Sequence, residues 1–180
     1  MYPFFRLYKD MYFARRASRM GLLDTHVSHH RCMPWDLDMW MELNNGRTLT
    51  IYDLGRIPMA ERSGLLDVLK QQRWGLTIAG SVVRYRRRVR MFDKVRMLSR
   101  VTGWDHRFVY LEQSMWKDGE CTSHAVYRSA ITDSKGIVTT DRIMHAMQQD
   151  VASPELPEWI KAWITAEDKR PWPPMLDAAN

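Results

Sequence analysis

Residues 44–64, NNGRTLTIYDLGRIPMAERSG, decide the fold. Asparagine is favoured at the residue that precedes a helix, so Asn44–Asn45 predicts a helix start. Ser63–Gly64 predicts its end. Apolar side chains lie on more than one side of the helix, a pattern typical of a buried helix. Pro58 lies within it and predicts a kink or a break.

The chain after this helix has the pattern of strands. A short second helix is predicted over 65–72, LLDVLKQQ. Successive β-rich segments then cover 75–89, 93–104, 106–116 and 120–131. Strands joined in succession by short turns form an antiparallel meander. Since a largely apolar helix ahead of such a sheet must be buried against it, we predict an α+β fold.

Both ends of the chain are predicted to extend a main domain that covers 21–140. Residues 1–20 alternate aromatic and basic side chains at helical spacing, and one face carries Tyr2, Phe5, Tyr8 and Tyr12. We expect this amphipathic helix to cover its own domain, and contact with a membrane surface is the alternative. The C-terminal extension, 141–180, is predicted to be helical, with a short helix over 157–169.

Composition narrows the class of protein. Of the 180 residues, 45% are hydrophobic and 27% are charged, which is typical of a globular domain. With two cysteines and no unbroken apolar segment at the N-terminus, a reducing cytoplasm is expected. The net charge of +6 favours an anionic partner, and nucleic acid, an acidic membrane surface and a phosphate-bearing small molecule all qualify.

Two clusters of side chains invite a ligand. His26, His30 and Cys32 would share one face of a strand, but a polar edge strand explains them better than a metal, and we predict no metal site. Residues 84–90, RYRRRVR, contain five arginines. On a strand, Arg84, Arg86, Arg88 and Arg90 would share a face, where their guanidinium groups could bind phosphates. The alternative is a solvated sheet edge protected by charge.

The stretch ahead of the helix, DLDMWMELNN (36–45), carries three carboxylates. Backbone N–H groups at a helix start stabilise negative charge. A carboxylate close by can attack an acyl carbon or activate a water molecule that does so. Acyl transfer or thioester hydrolysis would need these parts. The alternative is a loop whose Asp side chains only cap the backbone.

The longer segment PWDLDMWMELNNGRTLTIYDLGR resembles the signature of the 4-hydroxybenzoyl-CoA thioesterase-like branch of the hotdog superfamily. That signature contains D-x-D, three residues, usually His, then x-N-N, and a helix that ends near an acidic residue and Arg. The matching residues are Asp36, Asp38, Asn44, Asn45, Asp53 and Arg56. The resemblance covers most of residues 20–140. One position departs from it, because Glu42 stands where these relatives usually have His.

The resemblance implies an antiparallel sheet wrapped around one long helix, in a homodimer or homotetramer. It implies an acyl-CoA or related acyl thioester as substrate, so coenzyme A belongs to the substrate and no separate cofactor is expected. By position, the catalytic residues would be Asp38, Asn45 and Glu42. Substrate would contact Asn44 and Gly46 at the helix start, and Arg84, Arg86 and Arg88 through the phosphates of coenzyme A.

Three functions remain in competition at this point. The first is an acyl-CoA thioester hydrolase, which the Asp38–Asn45 segment favours. The second is a non-catalytic acyl-CoA or lipid-binding protein, because Glu42 cannot donate a hydrogen bond as a histidine would unless it is protonated. The third is a basic nucleic-acid binder, which is disfavoured because no aromatic stacking motif accompanies the arginines.

Overall fold

The computed structural model describes residues 2–174, which contain five α-helices and six β-strands. In chain order the elements are α1 (Phe4–Arg16), β1 (His26–Arg31), α2 (Asn45–Arg62), α3 (Leu65–Gln72), β2 (Gly75–Tyr85), β3 (Lys94–Trp104), β4 (Val109–Lys117), β5 (Glu120–Asp133), β6 (Gly136–Ile137), α4 (Thr140–Ala146) and α5 (Glu158–Asp168). The predicted α+β class is confirmed. None of the helices within 2–174 is long and apolar enough to cross a membrane.

All strand pairs in the sheet are antiparallel, in the order β1-β3-β4-β5-β2, with β6 beside β5. β3, β4 and β5 form the predicted meander. β2 does not join it, and in this respect the prediction was wrong. Residues 86–93 are not a tight turn; Leu43 N–H donates to the Val89 carbonyl and Phe92 N–H to the Cys32 carbonyl. This segment carries the chain from the β2 edge across to β3.

α2 starts where the sequence predicts, and it is the longest helix. Its buried residues Ile51, Tyr52 and Met59 pack in one cluster with Met97 and Met115 of the sheet. At Gly55 the helix backbone approaches the sheet so closely that an added Cβ would lie 2.5 Å from the Met97 sulfur. The sheet therefore holds α2 against its inner face, with no room for a side chain at this point.

The predicted break at Pro58 does not occur, because α2 runs without interruption from Asn45 to Arg62. Pro58 is buried within the helix. Packing on the surrounding core outweighs the loss of one backbone hydrogen bond at this position. The predicted short second helix is present as α3.

α1 forms the predicted N-terminal helix, and it lies against α2. Its buried residue is Ala14. Much of the aromatic face points away from the domain, since Phe5 is 95% exposed and Tyr8 is 74% exposed, whereas Tyr2 is partly buried beside Asp53 of α2. The Arg15–Glu61 ion pair, with 2.9 Å between Nε and Oε1, joins α1 to α2 at the surface.

The two helices of the C-terminal part, α4 and α5, pack on the sheet in separate clusters. Ile143 and Met144 of α4 pack with Ile131 and Val138, and Ile160 of α5 packs in a separate cluster with Phe108, Tyr110 and Val126. Both predicted C-terminal helices are confirmed. The division into 1–20, 21–140 and 141–180 stays a prediction, and its two ends reach Met1 and 175–180, outside the described residues.

Candidate functional site

The buried carboxylate of Asp36 organises the segment ahead of α2. Its Oδ2 accepts from Arg6 Nη1 of α1 at 2.7 Å, and its Oδ1 accepts from Arg47 Nη2 of α2 at 2.7 Å. The Met33 N–H also donates to Oδ2, at 3.0 Å. The Asp36 side chain is fully buried. One carboxylate therefore joins α1, the loop and the first turn of α2.

Electrostatics keeps this buried group ionised. Burial alone would raise the pKa of Asp36. The Met33 N–H and the guanidinium groups of Arg47 and Arg6 outweigh burial, so the pKa of this carboxyl lies below its usual value. Asp36 is thus a structural anion whose oxygens are already occupied, and it is not free to act on a substrate.

The start of α2 is capped by Asn44, as the sequence predicts. The Asn44 Oδ1 accepts from the Gly46 N–H at 2.9 Å and from the Arg47 N–H at 3.2 Å. Among the described residues, neither the N–H nor the side-chain amide of Asn45 has a hydrogen-bond partner. The Asn45 carbonyl accepts from the Tyr85 hydroxyl at 3.3 Å. Asn45 thus presents the unused donors at the positive end of α2.

A pocket of about 190 Å³ opens at this helix end. It is lined by residues from the start of α2, from the segment after β2 and from the start of β5, which include Glu42, Asn45, Thr48, Tyr85, Arg86, Arg88 and Ser123. We call it the α2 pocket. Tyr85, Thr48 and Ser123 are members that sequence reasoning missed. Thr48 lies in the first turn of α2, and the pairing of β2 with β5 places Tyr85 opposite Ser123 beside it.

Glu42 supplies the carboxylate of the α2 pocket. Its Oε2 lies 2.9 Å from Arg88 Nε, an ion pair without the alignment of a hydrogen bond. The Glu42 backbone bridges to Arg90, which holds the side chain beside the segment after β2. A carboxylate, a cation and the helix N-terminus therefore meet in one pocket.

Asp38 lies in the same loop but does not line the α2 pocket. Its Oδ1 accepts from the Trp40 N–H at 2.9 Å, and its own N–H donates to the Glu42 carbonyl at 2.8 Å. These bonds close a turn in which Met41 has a φ of 59°, a conformation that is costly for a bulky side chain. In this structure Asp38 shapes the turn that presents Glu42.

The arginine-rich segment is not one strand face, so that prediction was wrong. β2 ends at Tyr85, which leaves Arg84 inside the strand and places Arg86, Arg88 and Arg90 beyond it. The β pattern fails here because Arg86 and Arg87 both donate their N–H groups to the single carbonyl of Thr122. Arg86 and Arg88 line the α2 pocket and Arg84 does not.

The histidines and cysteine considered as metal ligands have other surroundings. His26 Nδ1 lies 3.1 Å from Arg62 Nη1, and His30 Nε2 lies 2.9 Å from Ser28 Oγ. Burial, together with the Arg62 guanidinium, lowers the pKa of His26 to about 4, and burial with Arg6 lowers that of His30 to about 3. Cys32 is a buried thiol whose pKa burial raises to about 11. Within 2–174, no group of three or more His, Cys, Asp or Glu residues is arranged so that it could hold a metal ion.

A second, apolar cavity of about 80 Å³ lies along the other half of α2. Its lining includes Ile57, Ala60, Leu76, Val101, Leu111 and Ile131. Asp53 and Arg56, which match the signature, form an ion pair on α2, and Arg56 lines this cavity. Arg56 also lies over the Tyr127 ring, 4.3 Å from its centre. The polar pocket and the apolar cavity thus lie along opposite halves of the same helix.

Comparison with known proteins decides the family. Residues 32–164 match the model of the Thioesterase-like superfamily. The chain belongs to this superfamily. Protein THEM6 of Xenopus laevis is 29% identical to this chain over 150 residues, which cover 82% of the chain and 70% of the Xenopus protein.

Solved structures agree with this superfamily. The probable thioesterase YbaW of Escherichia coli matches with a TM-score of 0.64 at 16% identity, over 69% of this chain and 97% of YbaW. The DHNA-CoA thioesterase of Staphylococcus aureus matches with a TM-score of 0.59 at 13% identity, over 80% of this chain and 91% of that chain. A hotdog-like thioesterase fold is therefore shown. The narrower 4-hydroxybenzoyl-CoA branch stays a prediction.

The Asp36 ion pairs generate a stability prediction. Asp36→Asn leaves the two guanidinium groups without their anion, so we expect the free energy of unfolding at pH 7 to fall by about 3–5 kcal/mol. Asp67→Asn is the matched control, because the Asp67–Arg19 pair is about two-thirds exposed and should contribute less than about 1 kcal/mol. Urea unfolding of both variants measures this.

The effect of Asp36 should also depend on pH. Because the folded-state pKa is lowered, the contribution of Asp36 is complete above about pH 4 and is lost as the pH falls through the folded value. The stability gap between wild type and Asp36→Asn should therefore narrow in acid. Equal losses in the Asp36 and Asp67 variants at pH 7 would contradict the structural role assigned to Asp36.

Proposed function

We propose that this protein hydrolyses acyl-CoA thioesters in the α2 pocket, with Glu42 as general base and Asn45 as donor to the oxyanion. One observation carries this proposal: the Glu42 carboxylate and the unused donors of Asn45 line the same pocket at a helix N-terminus. Membership of the Thioesterase-like superfamily supports the reaction class.

The proposed reaction needs no covalent intermediate. Glu42 takes a proton from a water molecule while the water oxygen attacks the thioester carbon. The carbonyl oxygen gains negative charge and accepts hydrogen bonds from the Asn45 N–H and side-chain amide. The C–S bond then breaks, and the thiolate of coenzyme A receives the proton from Glu42. The products are the free acid and the thiol, and Glu42 is ionised again.

Arg88 has a definite part in this scheme. It is the ion-pair partner of Glu42, the proposed general base. It also holds the carboxylate on the side of the pocket that Arg86 shares. A carboxylate base paired with a cation is compatible with the absence of the histidine that relatives usually carry at the position of Glu42.

The two ends of the substrate have surroundings of matching chemistry. Arg84 and Arg86 have no carboxylate partner among the described residues, so we propose that they bind the phosphates of coenzyme A. The acyl chain would follow α2 toward the apolar cavity. At about 1.5 Å per residue, Asn45 and Ile57 lie roughly 18 Å apart along the helix, a distance suited to a medium-length or long acyl chain.

A second candidate function is non-catalytic acyl-CoA binding. The observation that favours it is the same Glu42–Arg88 ion pair, since a carboxylate oxygen that faces a guanidinium is less accessible to a water molecule. In that case the protein would bind acyl-CoA and release no thiol.

We also propose that two copies pair along β2. This 11-residue strand is at the sheet edge and is bonded to β5 on one side only. Leu76 is 42% exposed and Ile78 is 37% exposed, and a long apolar edge strand of this kind favours pairing with another chain. Because Tyr85 and Arg86 follow directly, a partner on β2 would lie beside the α2 pocket, in keeping with a substrate site at a subunit interface.

The activity is tested by two variants of one loop. Glu42→Gln keeps the shape of the side chain but removes the base, so we expect kcat for acyl-CoA hydrolysis to fall about 10²- to 10⁴-fold. Asp38→Asn keeps an oxygen that accepts from the Trp40 N–H, so activity should stay within a few-fold of wild type. Thiol release from acyl-CoAs of several chain lengths measures both.

The other outcomes of this assay are informative. A larger loss with Asp38→Asn than with Glu42→Gln would assign the catalytic carboxylate to Asp38 and contradict the proposed base. Tight acyl-CoA binding by calorimetry with no thiol release from the wild type would establish the non-catalytic candidate instead.

The oligomeric state is tested by light scattering. We expect a dimer, and we expect Ile78→Lys to dissociate it by placing a charge on the pairing strand. Ile137→Lys is the matched control, since Ile137 is also 37% exposed but lies on the two-residue β6. A monomeric wild type, or equal dissociation by both variants, would contradict pairing along β2.

A further inference from the structure

A groove unrelated to the α2 pocket runs between α1 and the β1 edge of the sheet. Its walls come from α1, β1, β3 and the β4–β5 turn. Five lysine and arginine side chains line it, and the single carboxylate in the lining is Asp118. No residue lines both this groove and the α2 pocket. We call it the α1–β1 groove.

Two cations of the groove, Arg31 and Lys94, lie directly opposite each other in the sheet, and a third, Arg96, lies two residues along β3. In the pairing of β1 with β3, Arg31 is opposite Lys94 and His29 is opposite Arg96. Like charges in opposite positions of an antiparallel pair destabilise it. Within 2–174, no carboxylate pairs with Arg31, Lys94 or Arg96 to relieve this repulsion. An anion bound between them would relieve it.

Another cation on the same face of β3, Arg100, does have a carboxylate partner. Four residues beyond Arg96, Arg100 lies opposite Glu112 of β4 and donates from Nε to Oε2 at 2.7 Å. That carboxylate also contacts His124 Nε2 at 2.8 Å. The groove end of the strand therefore differs from its neighbour by lacking the anion.

Two tryptophans border the cations. Trp116 lies opposite Arg96 in the register of β3 with β4. Trp35, which is 64% exposed, lines the groove from the turn that Asp36 fixes. The groove has a volume of about 760 Å³, within the range of small-molecule sites. Arginine and lysine bind phosphate, and indole rings pack on flat or apolar groups.

We propose that the α1–β1 groove is a phosphate-binding site, in which Arg31, Lys94 and Arg96 hold a phosphate group while Trp35 and Trp116 contact the flat or apolar remainder of the ligand. The phosphate could belong to a free nucleotide or to a phospholipid headgroup. Both present the same anion to the same three cations. The site does not depend on the reaction proposed for the α2 pocket.

Three probes test the site on the full chain at low salt. Isothermal titration calorimetry measures binding of inorganic phosphate and of ADP, and co-sedimentation measures binding to phosphatidylcholine vesicles with and without phosphatidic acid. Lys94→Gln removes one groove cation, and we expect it to weaken binding about tenfold. Lys135→Gln, in the β5–β6 turn, removes the same charge elsewhere and should bind as the wild type does.

Thermal unfolding supplies a second readout, in which the response to added ligand distinguishes a binding site from a solvated surface. Because Lys94→Gln relieves the repulsion with Arg31, we expect the Tm of the free variant to exceed that of the wild type by about 1–3 °C. Added ligand should raise the Tm of the wild type and of Lys135→Gln, but not that of Lys94→Gln.

The outcomes distinguish a free phosphate ligand from a phospholipid headgroup, or they contradict the proposed site. Binding of phosphate or ADP that Lys94→Gln weakens supports a free ligand, and binding confined to phosphatidic acid vesicles supports a headgroup. If the wild type binds no probe, or if Lys94→Gln and Lys135→Gln bind equally, the proposal is wrong.

Discussion

The ion pairs of the Asp36 carboxylate are the constraint on which the functional end of the molecule depends. Arg6 brings α1 to this carboxylate and Arg47 brings the first turn of α2. Since the carboxylate is fully buried, loss of both guanidinium groups would leave an unpaired charge in the interior. The position of the α2 N-terminus, and of the donors on Asn45, follows from this arrangement.

Three acidic residues within seven positions have three different tasks. Asp36 is a buried structural anion, Asp38 closes the turn through the Trp40 N–H, and Glu42 faces the pocket beside Arg88. The backbone explains the division, because Leu37 bridges to Leu43 and folds the loop back on itself. The side chain presented to the α2 pocket is therefore the one that follows the turn. In our account, Glu42 is the general base because it lies in the α2 pocket, although relatives usually have His at this position of the sequence.

Much of this fold could be predicted from sequence, because its signals are local. An asparagine cap marks the start of α2, and apolar residues that alternate with polar ones mark β3, where burial alternates in the same way. The site was less accessible to prediction, since it is assembled from segments far apart in sequence. Thr48, Tyr85 and Ser123 meet only once β2 pairs with β5. The arginine-rich segment was predicted to be a strand throughout, but β2 ends at Tyr85 because Arg86 and Arg87 both donate to the Thr122 carbonyl. Whether Asp38 or Glu42 faces the pocket depends on a turn with Met41 in the left-handed region, which the sequence does not mark with glycine.

The most direct test of general-base hydrolysis in the α2 pocket is a single turnover of acyl-CoA in ¹⁸O-labelled water, with mass analysis of the acid and of the peptide that contains Glu42. Attack by water predicts that the first acid released carries one ¹⁸O atom and that Glu42 stays unlabelled. An unlabelled first product with ¹⁸O appearing in the Glu42 carboxylate would show nucleophilic attack by Glu42 and contradict its role as a base. Label in the acid that persists at the wild-type rate in Glu42→Gln would remove Glu42 from the reaction.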